Sequence, residues 1–181
     1  MKIRKGSSED FHWIVKLLKE GAKNGHFLPV MQSQAEGFLN SVIENGGVNM
    51  IKIRTHVQSP VFVPMTLSVA EIDGFPASFL ICCIENKEIE VHLAGTKMDF
   101  KRQGCFTYLV EDVVSKNLNS KIYARCYKKS SFAIDAFKKL NFEVTNAEEP
   151  IELVLAKINA KKQIKGTRKT GLWSTIAARF T

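Results

Sequence analysis

The spacing of hydrophobic residues along the chain changes repeatedly between the two-residue period of strands and the 3.6-residue period of helices. Alternating apolar and polar residues predict strands, and apolar residues at i, i+3, i+4 and i+7 predict helices. The predicted elements are, in chain order, a strand over 1–6, helices over 7–25 and 33–47, a strand over 49–57, three strands within 65–96, a helix that follows Gly104, a strand over 121–127, a helix over 130–141 with a short strand after it, and a strand over 151–158. This order predicts an α/β fold with a mixed, mostly antiparallel central sheet flanked by helices.

Turn and helix-end residues support these boundaries. Asp73-Gly74 favours a tight hairpin between two of the three consecutive strands. Asn141 suits the left-handed conformation that often follows a helix. The apolar residues of the last predicted helix that we expect to face the core are Phe132, Ala133, Ala136, Phe137 and Leu140.

Basic charge is concentrated at the C-terminal end of the chain. Residues 157–181 contain seven Lys and Arg residues and no acid, so they carry +7 of the formal net charge of +8 and leave +1 for residues 1–156. We predict a domain over 1–158 and a basic tail over 159–181, with a short amphipathic helix that carries Leu172, Trp173, Ile176, Ala177 and Phe180. We expect this helix to dock on protein, either its own domain or a second subunit of a homo-oligomer. An anionic membrane or nucleic acid is the alternative partner.

The cysteines and the hydropathy of the chain narrow the class of protein. Cys82, Cys83, Cys105 and Cys126 have no C-x-x-C spacing, so we expect small core residues in a reducing compartment, with no metal site and no disulfide framework. The longest uncharged apolar run, 74–84, is shorter than the roughly 20 residues that a membrane span needs. The N-terminal residues are charged, so we do not expect a signal peptide. We therefore expect a cytoplasmic protein without a membrane span.

A charged loop leads into the helix that follows Gly104. The residues Lys101-Arg102-Gln103-Gly104 include no Ser, Thr, Asp or Asn, the usual caps of a first helical turn, so the first amides of the helix stay free. Free amides, the helix dipole and a glycine without Cβ favour the binding of a phosphate or pyrophosphate, and the two bases add charge. The alternative is a solvated loop in which the glycine only eases a turn.

The element order and two motifs resemble the GNAT superfamily of acyl-CoA-dependent N-acetyltransferases, over about residues 1–158. The loop 101–106 is similar to the family's Q/R-x-x-G-x-G/A phosphate loop, although Lys101 stands at its first position and Phe106 at its last. The segment 130–142 is similar to the family's N-x-x-A-x-x-x-Y-x-K-x-G-F segment. There, Ser130 replaces Asn, Phe137 replaces Tyr, Asn141 replaces Gly, and Ala133, Lys139 and Phe142 match.

The resemblance implies a function and a set of binding residues. It implies direct transfer of an acetyl group from acetyl-CoA to an amine acceptor, a small molecule or a protein, without a metal. The thioester is expected where the strand over 88–96 ends. The residues implied to bind acetyl-CoA are Gly95, Thr96, Lys97, Lys101, Arg102, Gln103, Gly104, Cys105, Phe106, Thr107, Ser130, Phe137 and Lys139.

Acetyl transfer also needs a base for the amine and an acid for the departing thiolate. Phe137 stands where the family has its usual acid, a tyrosine, and it has no proton to give. Tyr127, at a strand end, is the candidate acid. Glu88, Glu90 and His92 alternate on one strand face, and Glu90 and His92 are the candidate bases. The alternative is that this face is only solvated and that Tyr127 is an ordinary strand-end residue.

Two other functions remain open from the sequence. Phe106 and Phe137 both depart from the family motifs and favour a protein that binds acyl-CoA without turnover. The basic tail favours a protein that associates with nucleic acid.

Overall fold

The computed structural model of the protein describes residues 1–50 and 60–156. Its elements are β1 (Lys2–Lys5), a 3-10 turn (Ser8–Asp10), α1 (Phe11–Lys23), α2 (Met31–Asn45), β2 (Gly47–Met50), β3 (Val61–Ile72), β4 (Phe75–Glu85), β5 (Glu88–Thr96), a second 3-10 turn (Met98–Phe100), α3 (Cys105–Lys116), β6 (Lys121–Cys126), α4 (Ser131–Lys139), β7 (Phe142–Asn146) and β8 (Ile151–Leu155). The predicted order of elements is confirmed over these residues. The rest of the strand predicted over 49–57 and the predicted tail over 159–181 lie outside the described residues.

The strands form one sheet with the order β1-β3-β4-β5-β6-β8-β7, and β2 pairs with the first part of β3. All neighbouring strands in the described sheet are antiparallel except β5 and β6, which are parallel. The predicted mixed, mostly antiparallel sheet is therefore confirmed. None of the described helices is long and apolar enough to cross a membrane.

Helices cover both faces of the sheet. Successive strand residues point to opposite faces, so the central strands contribute apolar side chains to both. On one face, α1 and α2 bury a cluster that includes Ile14, Leu39 and Phe79. On the other face, α3 and α4 bury a cluster that includes Leu80 and Leu109. The neighbours Phe79 and Leu80 thus belong to different cores, which fixes the register of the central strand β4.

The predicted turns are confirmed by the backbone. Asp73 and Gly74 have φ angles of 52° and 83°, as a two-residue hairpin with two left-handed positions requires. Asn141 has a φ angle of 64° directly after the last turn of α4. Cys82, Cys83 and Cys105 are buried and free, as predicted for small core residues.

One predicted core position in α4 is wrong. Phe132 is 87% exposed, and Ile134, which we did not predict to face inward, is buried. The stripe of α4 that meets the sheet runs through Ile134 and Phe137 at i, i+3 spacing. Phe132 lies in the first turn, on the side of the helix that borders the cleft described below.

Candidate functional site

The sheet opens between its two parallel strands. β5 and β6 pair only over Glu88–Val91 and Lys121–Ala124. Beyond that point β5 stays paired with β4 as far as Thr96, and β6 stays paired with β8 as far as Cys126. Among the described residues, the end of β5 therefore has a strand neighbour on one edge only. The opening is a cleft with a volume of about 630 Å³.

A β-bulge lies at the start of this free edge. Leu93 pairs with Ile81 and Val91 pairs with Cys82, so His92 is an extra residue without an opposite partner on β4. A bulge re-aims the side chain of the extra residue, and His92 lines the cleft. Gly95, three residues later, is in regular register with Phe79.

The end of β5 offers backbone groups to the cleft. The N–H of Lys97 donates to the carbonyl of Ala77 at 2.9 Å. Because successive N–H groups of a strand point to opposite edges, the N–H of Thr96 points to the free edge. Gly95 is required by packing, since a Cβ at that position would lie 2.7 Å from the Phe79 ring. The ammonium of Lys97 lies over the Trp13 ring at 4.5 Å from its centroid.

The N-terminus of α3 lies at one end of the cleft and has free amides. Gly104 occupies the N-cap position with a φ angle of 81° and provides no side-chain cap. The first N–H of α3 that bonds within the helix is that of Tyr108, which donates to the Gly104 carbonyl at 2.9 Å. The amides of Cys105, Phe106 and Thr107 precede it and have no intrahelical acceptor. A Cβ at Gly104 would meet no atom within 4 Å, so the space above the helix end is open.

The loop before α3 places its side chains differently. Lys101 and Arg102 are exposed and line the cleft. Gln103 turns back, and its amide nitrogen donates to the Asp99 carbonyl at 3.0 Å. The charge at this end of the cleft is therefore positive, which complements the free amides of α3.

Aromatic side chains form one wall of the cleft. The rings of Phe106 and Phe137 meet edge to face with centroids 5.2 Å apart, and Phe137 also contacts Phe142 at 4.9 Å. Phe137 is only 2% exposed. The large residue at position 106, where the related motif has Gly or Ala, thus packs on the residue that replaces the motif's tyrosine.

A buried carboxylate lies behind His92, at the other end of the cleft from α3. Glu90 on β5 is 8% exposed and accepts two hydrogen bonds from Arg125 Nη2, at 2.8 and 2.9 Å, and one from Arg125 Nε at 3.0 Å. The Tyr123 hydroxyl donates to the same carboxylate at 3.3 Å. His92 Nδ1 lies 3.3 Å from Glu90 Oε1. The carboxylate thus fixes the imidazole ring through Nδ1 and leaves Nε2 for another partner.

Local charges determine the ionisation of this cluster. Burial raises the pKa of the Glu90 carboxyl, but the hydrogen bond and charge of His92 and the charge of Arg125 outweigh it, so the pKa lies below its ordinary value. Burial and the Glu90 charge raise the pKa of Tyr123 to about 12. At neutral pH Glu90 is therefore an anion and Tyr123 a hydrogen-bond donor.

Cys83 joins Glu90 and His92 in a group whose ligand atoms lie within 4.8 Å of one another. A cation at this point would have to displace Arg125, which occupies both oxygens of Glu90. It would also need the Cys83 thiolate, and burial raises the pKa of that thiol. Cys83, Glu90 and His92 therefore fit the observed ion pair with Arg125 better than they fit a metal ion.

The cleft collects most of the predicted site residues. Those that line it are His92, Gly95, Thr96, Lys101, Arg102, Gly104, Cys105, Phe106, Thr107, Ser130 and Phe137. Those that do not line it are Glu90, which contacts His92 from behind, and Lys97, Gln103, Tyr127 and Lys139. Lys139 lies in the last turn of α4, and Tyr127 follows the end of β6.

Several lining residues were not predicted. Arg125 could have been found from the sequence only if the pairing of β5 with β6 were known. Tyr123 and Arg125 are two residues apart and share one strand face, and this pairing places both side chains beside Glu90. His26, Glu20 and Phe27 also line the cleft. They come from the end of α1 and the loop that follows it.

The sequence matches no model of a known protein family and no curated protein. The structure is similar to an aminoglycoside N(6′)-acetyltransferase from Legionella pneumophila, with a TM-score of 0.63, 13% identity and coverage of 90% of this chain and 95% of that one. It is similar to the PaiA N-acetyltransferase from Thermoplasma acidophilum in complex with coenzyme A, with a TM-score of 0.58, 14% identity and coverage of 84% and 96%. It is also similar to the ribosomal-protein-S18-alanine N-acetyltransferase from Escherichia coli, with a TM-score of 0.58, 13% identity and coverage of 85% and 92%. At these identities the likeness shows the fold, and the fold predicted from the sequence is confirmed.

Proposed function

On this GNAT acetyltransferase fold, we propose that the chain transfers an acetyl group directly from acetyl-CoA to an amine. The observation that carries the proposal is the cleft itself. One end has the free amides of α3, and the other has His92 held by the buried Glu90. The free edge of β5 connects the two ends. The cleft therefore combines an anion site with a candidate base.

The anion end fits the pyrophosphate of acetyl-CoA, which is a substrate of the proposed reaction. Three free amides point out of the α3 N-terminus, the Gly104 position leaves open space above it, and Lys101 and Arg102 add positive charge. The PaiA neighbour was solved in complex with coenzyme A. Both observations support binding of acetyl-CoA at this end.

The length of the free edge supports a position for the thioester. Thr96 and His92 are four residues apart on β5, which corresponds to about 13 Å of extended strand. An extended arm that starts at the α3 amides and follows this edge reaches the bulge at His92. We therefore place the acetyl group nearer to His92 than the sequence suggested when it pointed to Gly95, Thr96 and Lys97.

His92 is the proposed base and Glu90 its positioning residue. The amine must lose a proton as it is acylated, and Nε2 of His92 is the free basic atom of the imidazole. Glu90 is buried, ionised and already paired with Arg125, so it stabilises the imidazolium that forms rather than taking the proton itself. The sequence left open whether Glu90 or His92 is the base. We now propose that His92 takes the proton and that Glu90 positions it.

The acceptor is proposed only as an amine. The neighbours act by name on an aminoglycoside and on the alanine of a ribosomal protein, so a small molecule and a protein are both candidates. The test is release of free thiol from acetyl-CoA in the presence of aminoglycosides, peptides with an N-terminal alanine, and simple diamines. Coenzyme A binding is measured beside it by thermal shift. The proposed transfer would be contradicted if coenzyme A gave a normal thermal shift but no thiol were released in the presence of any of these amines.

Binding without turnover is the second candidate function. The observation that favours it is the burial of Phe137 against Phe106 and Phe142, which leaves the usual position of the acid without a proton. The same assay separates the two functions, because a binding protein shows the thermal shift and no thiol release.

A further inference from the structure

His26 and Ser130 connect the two sides of the cleft. His26 lies in the loop after α1, and Ser130 lies directly before α4, 104 residues later. His26 Nδ1 and Ser130 Oγ are 3.0 Å apart, and both residues line the cleft. The backbone N–H of His26 donates to the Gly21 carbonyl at 2.8 Å, which ties the loop to the end of α1.

The Ser130 hydroxyl is not used for the structure of its own helix. Ser130 occupies the N-cap position of α4, where a serine usually accepts a hydrogen bond from an amide of the first turn. Here no such side-chain cap is formed, and the hydroxyl contacts His26 instead. Its partner is therefore a titratable group that faces the cleft.

Building on the proposed acetyl transfer, we infer that protonated His26 and Ser130 form the proton source for the departing thiolate. In an imidazolium both nitrogens are donors. Nδ1–H must then donate to Ser130 Oγ, and this leaves the serine's own O–H free to donate to another acceptor. His26 is exposed, so solvent can restore its proton through Nε2.

The step balances in atoms and charge. The amine nitrogen forms its bond to the acetyl carbon, and His92 takes the proton that the nitrogen loses. The carbon–sulfur bond breaks and its electron pair stays on sulfur. Sulfur takes the proton of the Ser130 hydroxyl, Ser130 takes the Nδ1 proton of His26, and His26 becomes neutral. The products are the N-acetyl amine and the free thiol of coenzyme A.

Other proton donors of the cleft are less suitable. Phe137 has no acidic proton, Tyr127 does not line the cleft, and His92 receives a proton in the same reaction. Burial raises the pKa of Cys126 to about 11, so that thiol is a poor acid for another thiolate. The His26–Ser130 pair differs from these groups in that it joins an imidazole directly to a hydroxyl in the described cleft.

Charged neighbours surround this pair from several elements. Glu20 of α1, His92 of β5, Arg125 of β6 and Lys129 line the cleft together with His26, and the Lys129 side chain packs against Gly25. The proposed donor requires the protonated imidazole, so the rate is measured as a function of pH.

The test separates proton transfer from a merely structural contact. His26→Asn keeps an amide group near the position of Nδ1 and can still hydrogen-bond to Ser130, but it cannot carry a proton to it. Ser130→Thr keeps the hydroxyl, and Ser130→Ala removes it. Thiol release is measured from pH 5.5 to 9 with an aminoglycoside and with an N-terminal alanine peptide, and coenzyme A affinity is measured for each variant.

We expect His26→Asn and Ser130→Ala to lower kcat by about 10²-fold at pH 6.5. Both variants should differ from the wild type in the pH dependence of the rate, and the coenzyme A affinity of His26→Asn should change by less than about twofold. Ser130→Thr should retain the wild-type profile. A wild-type rate and pH profile in His26→Asn would overturn the inference and leave a structural contact. A wild type that binds coenzyme A but releases no thiol would overturn the proposed function and, with it, the inference.

Discussion

Arg125 holds Glu90 across the parallel strands β5 and β6, with two guanidinium nitrogens at 2.8 to 3.0 Å from the carboxylate. The pair lies at the point where the two strands separate, because Val91 and Ala124 are their last paired residues. The same carboxylate contacts His92, the bulge residue that lines the cleft. One ion pair therefore stabilises the end of the strand pairing and the proposed base together.

Replacing Glu90 by Gln tests that coupling. The substitution keeps the size of the side chain but removes the charge that orients His92 and stabilises its imidazolium. We expect kcat to fall by about 10- to 100-fold with little change in coenzyme A affinity. Glu88→Gln is the matched control, since Glu88 belongs to the same strand but is half exposed and pairs with Lys121 at 3.3 Å. Equal activity of both variants would remove Glu90 from the site.

Replacing Gly104 by Val tests the anion end of the cleft. Coenzyme A at about 100 times its dissociation constant should stabilise the wild type by roughly 2.7 kcal/mol. The valine side chain would fill the open space above the α3 amides, so the variant should lose this shift. Gly74→Val controls for backbone strain, because Gly74 has a φ angle of 83° against 81° for Gly104, and a Cβ added at Gly74 would also meet no atom within 4 Å. A ligand shift lost in both variants, or in neither, would contradict our placement of the pyrophosphate.

The Tyr127 hydroxyl should be dispensable. Tyr127 is the acid that the sequence suggests, but it does not line the cleft. We expect Tyr127→Phe to keep kcat within about twofold of the wild type, because the proposed proton source is Ser130 with His26. A loss of about 10²-fold at unchanged coenzyme A affinity would instead favour the sequence-based prediction that Tyr127 is the acid.

Acid stability should depend on a buried carboxylate that does not line the cleft. Asp10 is 1% exposed and accepts hydrogen bonds from Arg4 at 2.6 and 2.9 Å. Burial raises the pKa of this carboxyl, but the hydrogen bonds from Arg4, the Ser7 amide and Trp13 outweigh it and lower the pKa. A lowered folded-state pKa stabilises the protein above the ordinary value near 4, and this stabilisation is lost as the pH falls through the folded-state pKa.

Asp10→Asn should therefore lower the free energy of unfolding by about 1 to 3 kcal/mol at pH 7, because Arg4 loses its hydrogen bonds to a buried carboxylate and keeps only the ion pair with Glu71. The difference from the wild type should shrink below about pH 4. Urea unfolding at pH 7, 5 and 3 measures it, and Glu9→Gln, at an exposed neighbouring position, is the control. A difference that stays constant down to pH 3 would show that the charge of Asp10 contributes little.

Features that depend on nearby residues could be predicted from the sequence. The Asp73-Gly74 hairpin and the left-handed Asn141 follow from local backbone preferences, which act over two or three residues. The free amides of α3 follow from the absence of a capping side chain before Cys105. Each of these three features can be predicted without knowing which part of the protein the segment packs against.

Features that depend on distant pairing could not be predicted. The burial of Glu90 requires the register that brings Arg125 beside it, 35 residues away. The contact between His26 and Ser130 joins residues 104 apart. The exposure of Phe132 depends on which stripe of α4 meets the sheet, and the periodicity of a nine-residue helix with apolar residues on several sides does not determine that.

The short pairing between β5 and β6 divides the sheet into two parts that are joined by only four residue pairs. A ligand that bonds to the free edge of β5 and contacts the end of β6 would connect these two parts and restrict their relative motion. We expect the largest decrease in local opening in the smaller part, which consists of β6, β8 and β7. Hydrogen exchange should therefore slow in Lys121–Cys126 and Ile151–Leu155 when coenzyme A binds, although most of these amides never touch it.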